Sequence, residues 1–128
     1  YMNSTISFAR THGYVVNLLG RRCYLPNINS KDHNLRSFSE RAAINAPMQS
    51  LTSDIVKIAM IKIYREFEDK GIKAKLVLQI HDELIFECPE SDVGVAVDLI
   101  RKNMTSAYLL KVDLKTEINS GENWRVIH

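Results

Sequence analysis

His81, Asp82 and Glu83 interrupt an otherwise apolar stretch between two β-prone runs, Lys75-Leu-Val-Leu-Gln-Ile80 and Glu83-Leu-Ile-Phe-Glu-Cys88. Only His81-Asp82 separates the runs, which predicts a tight antiparallel hairpin between strands that otherwise read as core. A two-residue turn usually recruits Asn-Gly or Asp-Gly because it needs positive φ, so His-Asp is a poor local choice, and poor local choices mark functional sites. Taken alone, Asp82 is more simply a local turn hydrogen-bond acceptor, and a packed, hydrogen-bonded histidine is the alternative for His81. A hydrolytic metal site made of all three side chains is disfavoured, because neighbours along a strand point to opposite faces. A second constellation is Arg41, Asn45 and Gln49. Their spacing of four puts them on one face of a continuous helix. Arg21 and Arg22, beside a turn, are candidate phosphate contacts, with solvated arginines as the alternative; for the other three, an exposed polar helix face is the plainer reading.

The sequence of 128 residues, 45% hydrophobic and 25% charged, supports one domain with a real core and argues against disorder. No apolar run approaches the length of a membrane span, and no secretory pattern opens the chain. Cys23 and Cys88 lack the clustered spacing of a zinc site and read as reduced thiols. The net charge of +2 is unevenly divided. Residues 1–50 hold six Lys/Arg and two acids, a balance of +4, and residues 51–128 hold the other eleven and thirteen, a balance of −2. An Arg-rich basic half suits a phosphate-contacting surface, and equally an ordinary solvated one.

The elements that must position these residues follow from pattern. Tyr1 to His12 reads as a helix stopped by Gly13, and the chain therefore opens inside an element, as a piece of a longer protein would. Tyr14–Leu18 and Arg22–Leu25 form a hairpin around Leu19-Gly20, ended by Pro26. Leu35 to Asn45 is helical; Ala46-Pro47 predicts a break or kink; a second helix runs from Gln49 to Asp69, closed by Gly71. Its apolar stripe is wide, leaving a polar line through Asp54, Lys57, Arg65 and Glu68, which predicts a helix buried on most sides. Pro89 ends the carboxylate hairpin, a helix carries Val93, Val97, Ile100 and Met104 on one side, and Val112–Ile118 is expected as a last strand. The class is α+β, a small antiparallel sheet packed against helices.

The stretch Gln79-Ile80-His81-Asp82-Glu83-Leu84 resembles the catalytic carboxylate motif in the palm of family A DNA polymerases, the DNA polymerase I type. Gly20-Arg21-Arg22 with Tyr24-Leu25-Pro26, then Glu40-Arg41-Ala42-Ala43-Ile44-Asn45-Ala46-Pro47-Met48-Gln49 with Asp54-Ile55, and finally Ser120-Gly121-Glu122-Asn123-Trp124 are similar to the same family in order and separation. Ser50-Leu51-Thr52-Ser53 departs from it, standing where the family usually has Gly-Thr-Ala-Ala; the loop Lys31-Asp32-His33 departs too.

The resemblance implies a DNA-directed DNA polymerase of replication and repair, extending a primer with deoxynucleoside triphosphates by two-metal chemistry. It implies Asp82 as a Mg2+ ligand, Glu83 as an auxiliary carboxylate and His81 near the primer end. Arg41, Asn45 and Gln49, with Arg21 and Arg22, become contacts to primer-template DNA. Residues 1–50 then form a fingers-side helix, hairpin and DNA-contacting helix, and residues 51–128 the palm core with the carboxylate hairpin. The second metal-bridging carboxylate and the triphosphate-holding helix are expected in the rest of the polymerase chain, so these 128 residues are expected to be inactive alone. The expected setting is the bacterial cytoplasm or an organelle, without secretion or membrane. The alternatives left open are a nucleic-acid-binding module without catalysis and a purely structural C-terminal domain.

Overall fold

The structure, a computed structural model, describes residues 1–127. Two compact units divide at Asp54, the first spanning Tyr1–Asp54 and the second starting at Ile55.

In the first unit, helix α1 (Met2–His12) ends as expected at Gly13, whose φ of 78° lets its N–H reach back to the Ala9 carbonyl at 2.7 Å. Strands β1 (Tyr14–Val16) and β2 (Arg22–Tyr24) pair antiparallel with Val15 opposite Cys23, a shorter hairpin than the apolar runs predicted. Ala9, Val15, Leu25, Ile28 and Ala43 form the core, with Cys23, Ala42 and Ala46 packed against it.

Helix α2 runs unbroken from His33 to Asp69 with Pro47 inside it, so of the expected break or kink the break does not occur. Asp32 caps its start by accepting from the Asn34 and Leu35 N–H groups. Proline removes the bond to the Ala43 carbonyl and crowds it, at about 3 kcal/mol. Local propensity therefore argues for a break, but tertiary packing opposes it: Ala43 is fully buried, and Pro47 and Leu51 are buried on the same segment. The helix ends in two further backbone bonds, from Ile72 N–H to the Phe67 carbonyl and from Gly71 N–H to that of Glu68, at 2.9 and 3.1 Å, with Gly71 at φ 65° and Ile72 packed on the cluster containing Phe67.

In the second unit, β3 (Lys75–Ile80) and β4 (Glu83–Glu87) form the predicted hairpin, and a 3-10 turn (Glu90–Asp92) leads into α3 (Val93–Thr105). Ile63, Phe67, Ala96, Leu99 and Ile100 make the core; Leu84, Phe86 and Cys88 pack against it, with Phe86 edge-on to Phe67 at 5.9 Å. Buried Asn103 donates to the Leu99 carbonyl within α3, so α3 turns Ala96, Leu99, Ile100 and Asn103 inward. Lys62 caps the C-terminal end of α3 through the Ser106 and Ala107 carbonyls.

Three expectations are corrected in this unit. Strand β3 is not core: Leu76, Val77 and Leu78 are all exposed, Val77 at 53%, around a bulge between Leu76 and Leu78. Helix α2 is not buried on most sides, since Ile61 and Tyr64 are exposed. Residues 112–118 form no strand. Leu114, Thr116 and Ile118 are half-buried and their neighbours exposed, a strand-like alternation without a ladder partner among the described residues. The α+β class stands, with two separate two-stranded antiparallel sheets in place of one. The tail closes in a short helix, α4 (Trp124–Ile127), started by the Asn123 side chain, and a Cβ at Gly121 would meet Ile127 at 2.9 Å.

Ile63, almost fully buried, should be the costliest single truncation in this unit: Ile63→Ala is expected to lose about 2–5 kcal/mol, read as a shift in denaturant midpoint at unchanged slope. A second expectation concerns acid. Lys102 donates to Glu66 Oε1 at 2.9 Å and holds the Glu66 carboxyl below the usual carboxylate range, against the opposing effect of burial. A depressed folded value contributes stability that is present above the unfolded pKa and is lost as pH falls through the folded one. Lys102→Met should therefore reduce the loss of stability on acidification, measured as denaturant midpoint against pH; an unchanged acid limb would refute that coupling.

Candidate functional site

The carboxylate hairpin is in register to its tip: Gln79 faces Leu84, Ile80 faces Glu83, and His81-Asp82 turn the chain. Glycine-like backbone is required there, and His81 supplies it at φ 52°, the only non-glycine residue with positive φ among those described. That conformation costs a non-glycine residue about 1–3 kcal/mol. The Gln79 amide steadies the turn by donating to the His81 carbonyl at 3.1 Å. The simple turn role for Asp82 is not seen: among the described residues its carboxylate takes no hydrogen bond, and it is exposed. Leu84 and Phe86 face the core, so strand alternation turns Glu83 to the opposite side, where it is exposed.

A metal would find hard oxygen donors at this tip. No group of three His, Cys, Asp or Glu side chains among the described residues could enclose an ion. That donor set fits Mg2+, which is held by one or two carboxylates and takes its other ligands from water and phosphate, and does not fit zinc or a calcium cage. Both cysteines are free thiols, and burial pushes the Cys88 thiol up.

In the first unit, continuity of α2 gives Arg41, Asn45 and Gln49 the shared face that a break would have split, and all three are exposed. Arg41 also donates to Ser37 Oγ one turn back. Arg22 lies over the Tyr14 ring at 4.7 Å, an exposed guanidinium backed by an aromatic face. Arg21 is placed differently from its neighbour. Its Nε donates to both Asp54 carboxylate oxygens at 3.0 and 2.9 Å, with Nη2 on Oδ1. That contact raises the Arg21 pKa and answers its charge locally, which reduces what it can offer a phosphate.

Sequence reasoning missed this network. Asp54 lies on the polar line of its helix, yet it is only 8% exposed. It accepts from Arg21 and from the Asn17 amide, the latter at 2.9 Å. The available signal was a polar residue within one apolar run, Asn17 in Tyr14–Leu18, and another, Asp54, on the narrow polar line bordering the stripe of α2. Nothing local says that the two meet.

The model of the family described as "DNA polymerase family A" matches residues 1–126. DNA polymerase I of Caldicellulosiruptor bescii is 40% identical over 97% of this chain, and that of Bacillus subtilis 42% over the same share. The chain spans about 15% of the length of these curated relatives. Among solved structures, the polymerase domain of Pol1 from M. smegmatis, in complex with DNA primer-template and dNTP, superposes with a TM-score of 0.94 at 39% identity, covering 99% of this chain and 22% of that one.

The strain at the turn can be measured directly. His81→Gly removes the left-handed penalty and should stabilise the hairpin by about 1 kcal/mol, offset in part by the flexibility glycine adds to the unfolded chain. The denaturant midpoint reads it; a midpoint that falls would show that the His81 side chain stabilises the turn by more than its backbone costs.

Proposed function

The chain belongs to DNA polymerase family A, and on that premise we propose that it carries the carboxylate hairpin and one DNA-contacting helix face of a template-directed DNA polymerase. The observation that carries this reading is an exposed Asp82 at the tip of a turn that demands an unfavourable backbone from His81. Such a tip presents a carboxylate outward on two paired strands, with little freedom to move.

Asp82 is the metal-binding carboxylate and Glu83, on the first residue of β4, the auxiliary one. Bound Mg2+ would stabilise the attacking and leaving oxygens of an in-line displacement at the α-phosphate of a deoxynucleoside triphosphate. His81 approaches the sugar or phosphate of the primer end. Arg41, Asn45 and Gln49 meet the primer-template in its minor groove, where every base pair offers an acceptor, purine N3 or pyrimidine O2, in a similar place. Donors there sense pair geometry without reading sequence, as copying requires. Arg22 contacts phosphate, and Arg21 serves mainly to hold its hairpin through Asp54.

Two-metal chemistry needs a second carboxylate that bridges both ions. The second carboxylate and the triphosphate-holding residues belong to the remainder of a longer polymerase chain, and the 128 residues alone do not extend a primer. No helix among the described residues is long and apolar enough to cross a membrane. The working setting is the nucleoid or an organelle's DNA.

In the full-length enzyme, Asp82→Ala is expected to lower primer extension at least a thousandfold while the dissociation constant for primer-template changes no more than a few-fold. Normal turnover in that variant would remove Asp82 from the mechanism. Mg2+-dependent extension by the 128-residue chain alone would overturn the division of the metal site. DNA binding that is salt-sensitive, indifferent to Mg2+ and accompanied by no extension in the full-length protein would favour a binding module instead.

A further inference from the structure

The hydrogen-bond contacts that the β1–β2 hairpin makes to α2 near its proline gather on one row. Ala46, Ser50 and Asp54 follow at intervals of four, and each is met by the β1–β2 hairpin or its loop. Cys23 Sγ lies 4.0 Å from the Ala46 carbonyl and 3.6 Å from Ser50 Oγ. The Asn17 amide nitrogen donates to Ser50 Oγ at 3.1 Å and to Asp54 at 2.9 Å. Its amide oxygen accepts from the Leu19 and Arg21 N–H groups at 2.9 and 3.0 Å, so buried Asn17 fills all four of its hydrogen-bonding positions. Ser50 Oγ in turn reaches the Pro47 carbonyl at 3.3 Å. These contacts lie where Pro47 has taken one bond out of the helix ladder.

The row Arg41, Asn45, Gln49 sits one residue earlier, about 100° around the axis. Both rows share one backbone, so pinning the first fixes the rotation of the second. A contact to a base edge tolerates only about 10–20° of misorientation. We infer that Asn17 and Ser50 are positioning residues for the minor-groove contact of Gln49: the hairpin's polar anchor sets the rotation of α2 just past the proline and aims the exposed row at the primer-template. This inference rests on the proposed role of Gln49. It also gives a physical role to Ser50, the first residue of the stretch Ser50–Ser53 that departs from the pattern the resemblance implies.

The test uses the full-length polymerase and a set of primer-templates in which the N3 of one purine near the primer 3′ end is replaced by C–H, deleting a single minor-groove acceptor. The quantity read is the ratio of extension efficiencies on unmodified and modified DNA at the most sensitive position. Gln49→Ala should collapse that ratio toward one. Ser50→Ala and Asn17→Ala should each reduce it about three- to tenfold, with little further effect in the Gln49→Ala background, and Ser50→Thr, which keeps the hydroxyl, should restore it. If Gln49→Ala leaves the ratio intact, the proposed role of Gln49 falls and the inference falls with it. If Gln49→Ala collapses it while the Ser50 and Asn17 variants keep it whole, the positioning inference alone is overturned. Equal slowing on both DNAs by the Ser50 and Asn17 variants would likewise overturn it, by showing a structural contribution without aim.

Discussion

Helix α2 passes through a proline without ending, and the first unit depends on that continuity. A proline inside a helix is unfavourable by about as much as a buried side chain contributes. Here it is outweighed by side chains on both sides of the interruption, Ala43 and Leu51 buried and Ala46 packed against the core, with polar contacts from a neighbouring hairpin. The consequence reaches the surface: an unbroken helix keeps Arg41, Asn45 and Gln49 on one exposed face, available as a set.

A comparable trade operates at the carboxylate tip. His81 occupies a backbone region that suits glycine, and the strands on either side hold it there through in-register pairing to Ile80 and Glu83. Strain held by a rigid frame is how a turn can present chosen side chains where the easiest turn sequence would present none. The frame itself is asymmetric. Strand β4 packs Leu84 and Phe86 on the core, whereas β3 leaves three consecutive apolar residues exposed, and residues 112–118 keep a strand-like alternation of burial without a ladder partner among the described residues. Sheet-forming capacity thus exceeds the pairing among the described residues, which accords with a chain spanning about 15% of its relatives' length.

Local signals were legible where a single residue type decides geometry. Gly13 and Gly71 mark helix ends because the left-handed turn costs them little, and both ends fall where the sequence places them. The two-residue gap between β3 and β4 sets the hairpin register, and the polar tip stood out because it broke turn preference. The errors share a different origin. Pro47 carries a local penalty that packing outweighs, Asp54 sits on a polar line yet meets Asn17 across the chain, and the strand expected at residues 112–118 has no ladder partner among the described residues.

The sequence by itself determined the class of fold, the two hairpins and their place in the chain, the hairpin tip and, through four motifs in register, the family. Those properties are written in periodicity, turn chemistry and residue type, which act over a few neighbours. Tertiary structure alone decided that α2 continues through Pro47, that Arg21 is engaged by Asp54 while Arg22 stays exposed over Tyr14, and that β3 is uncovered. Burial and hydrogen-bond satisfaction depend on what a segment meets across tens of residues: Asn17 finds Asp54 thirty-seven positions away, and no window of local pattern contains both.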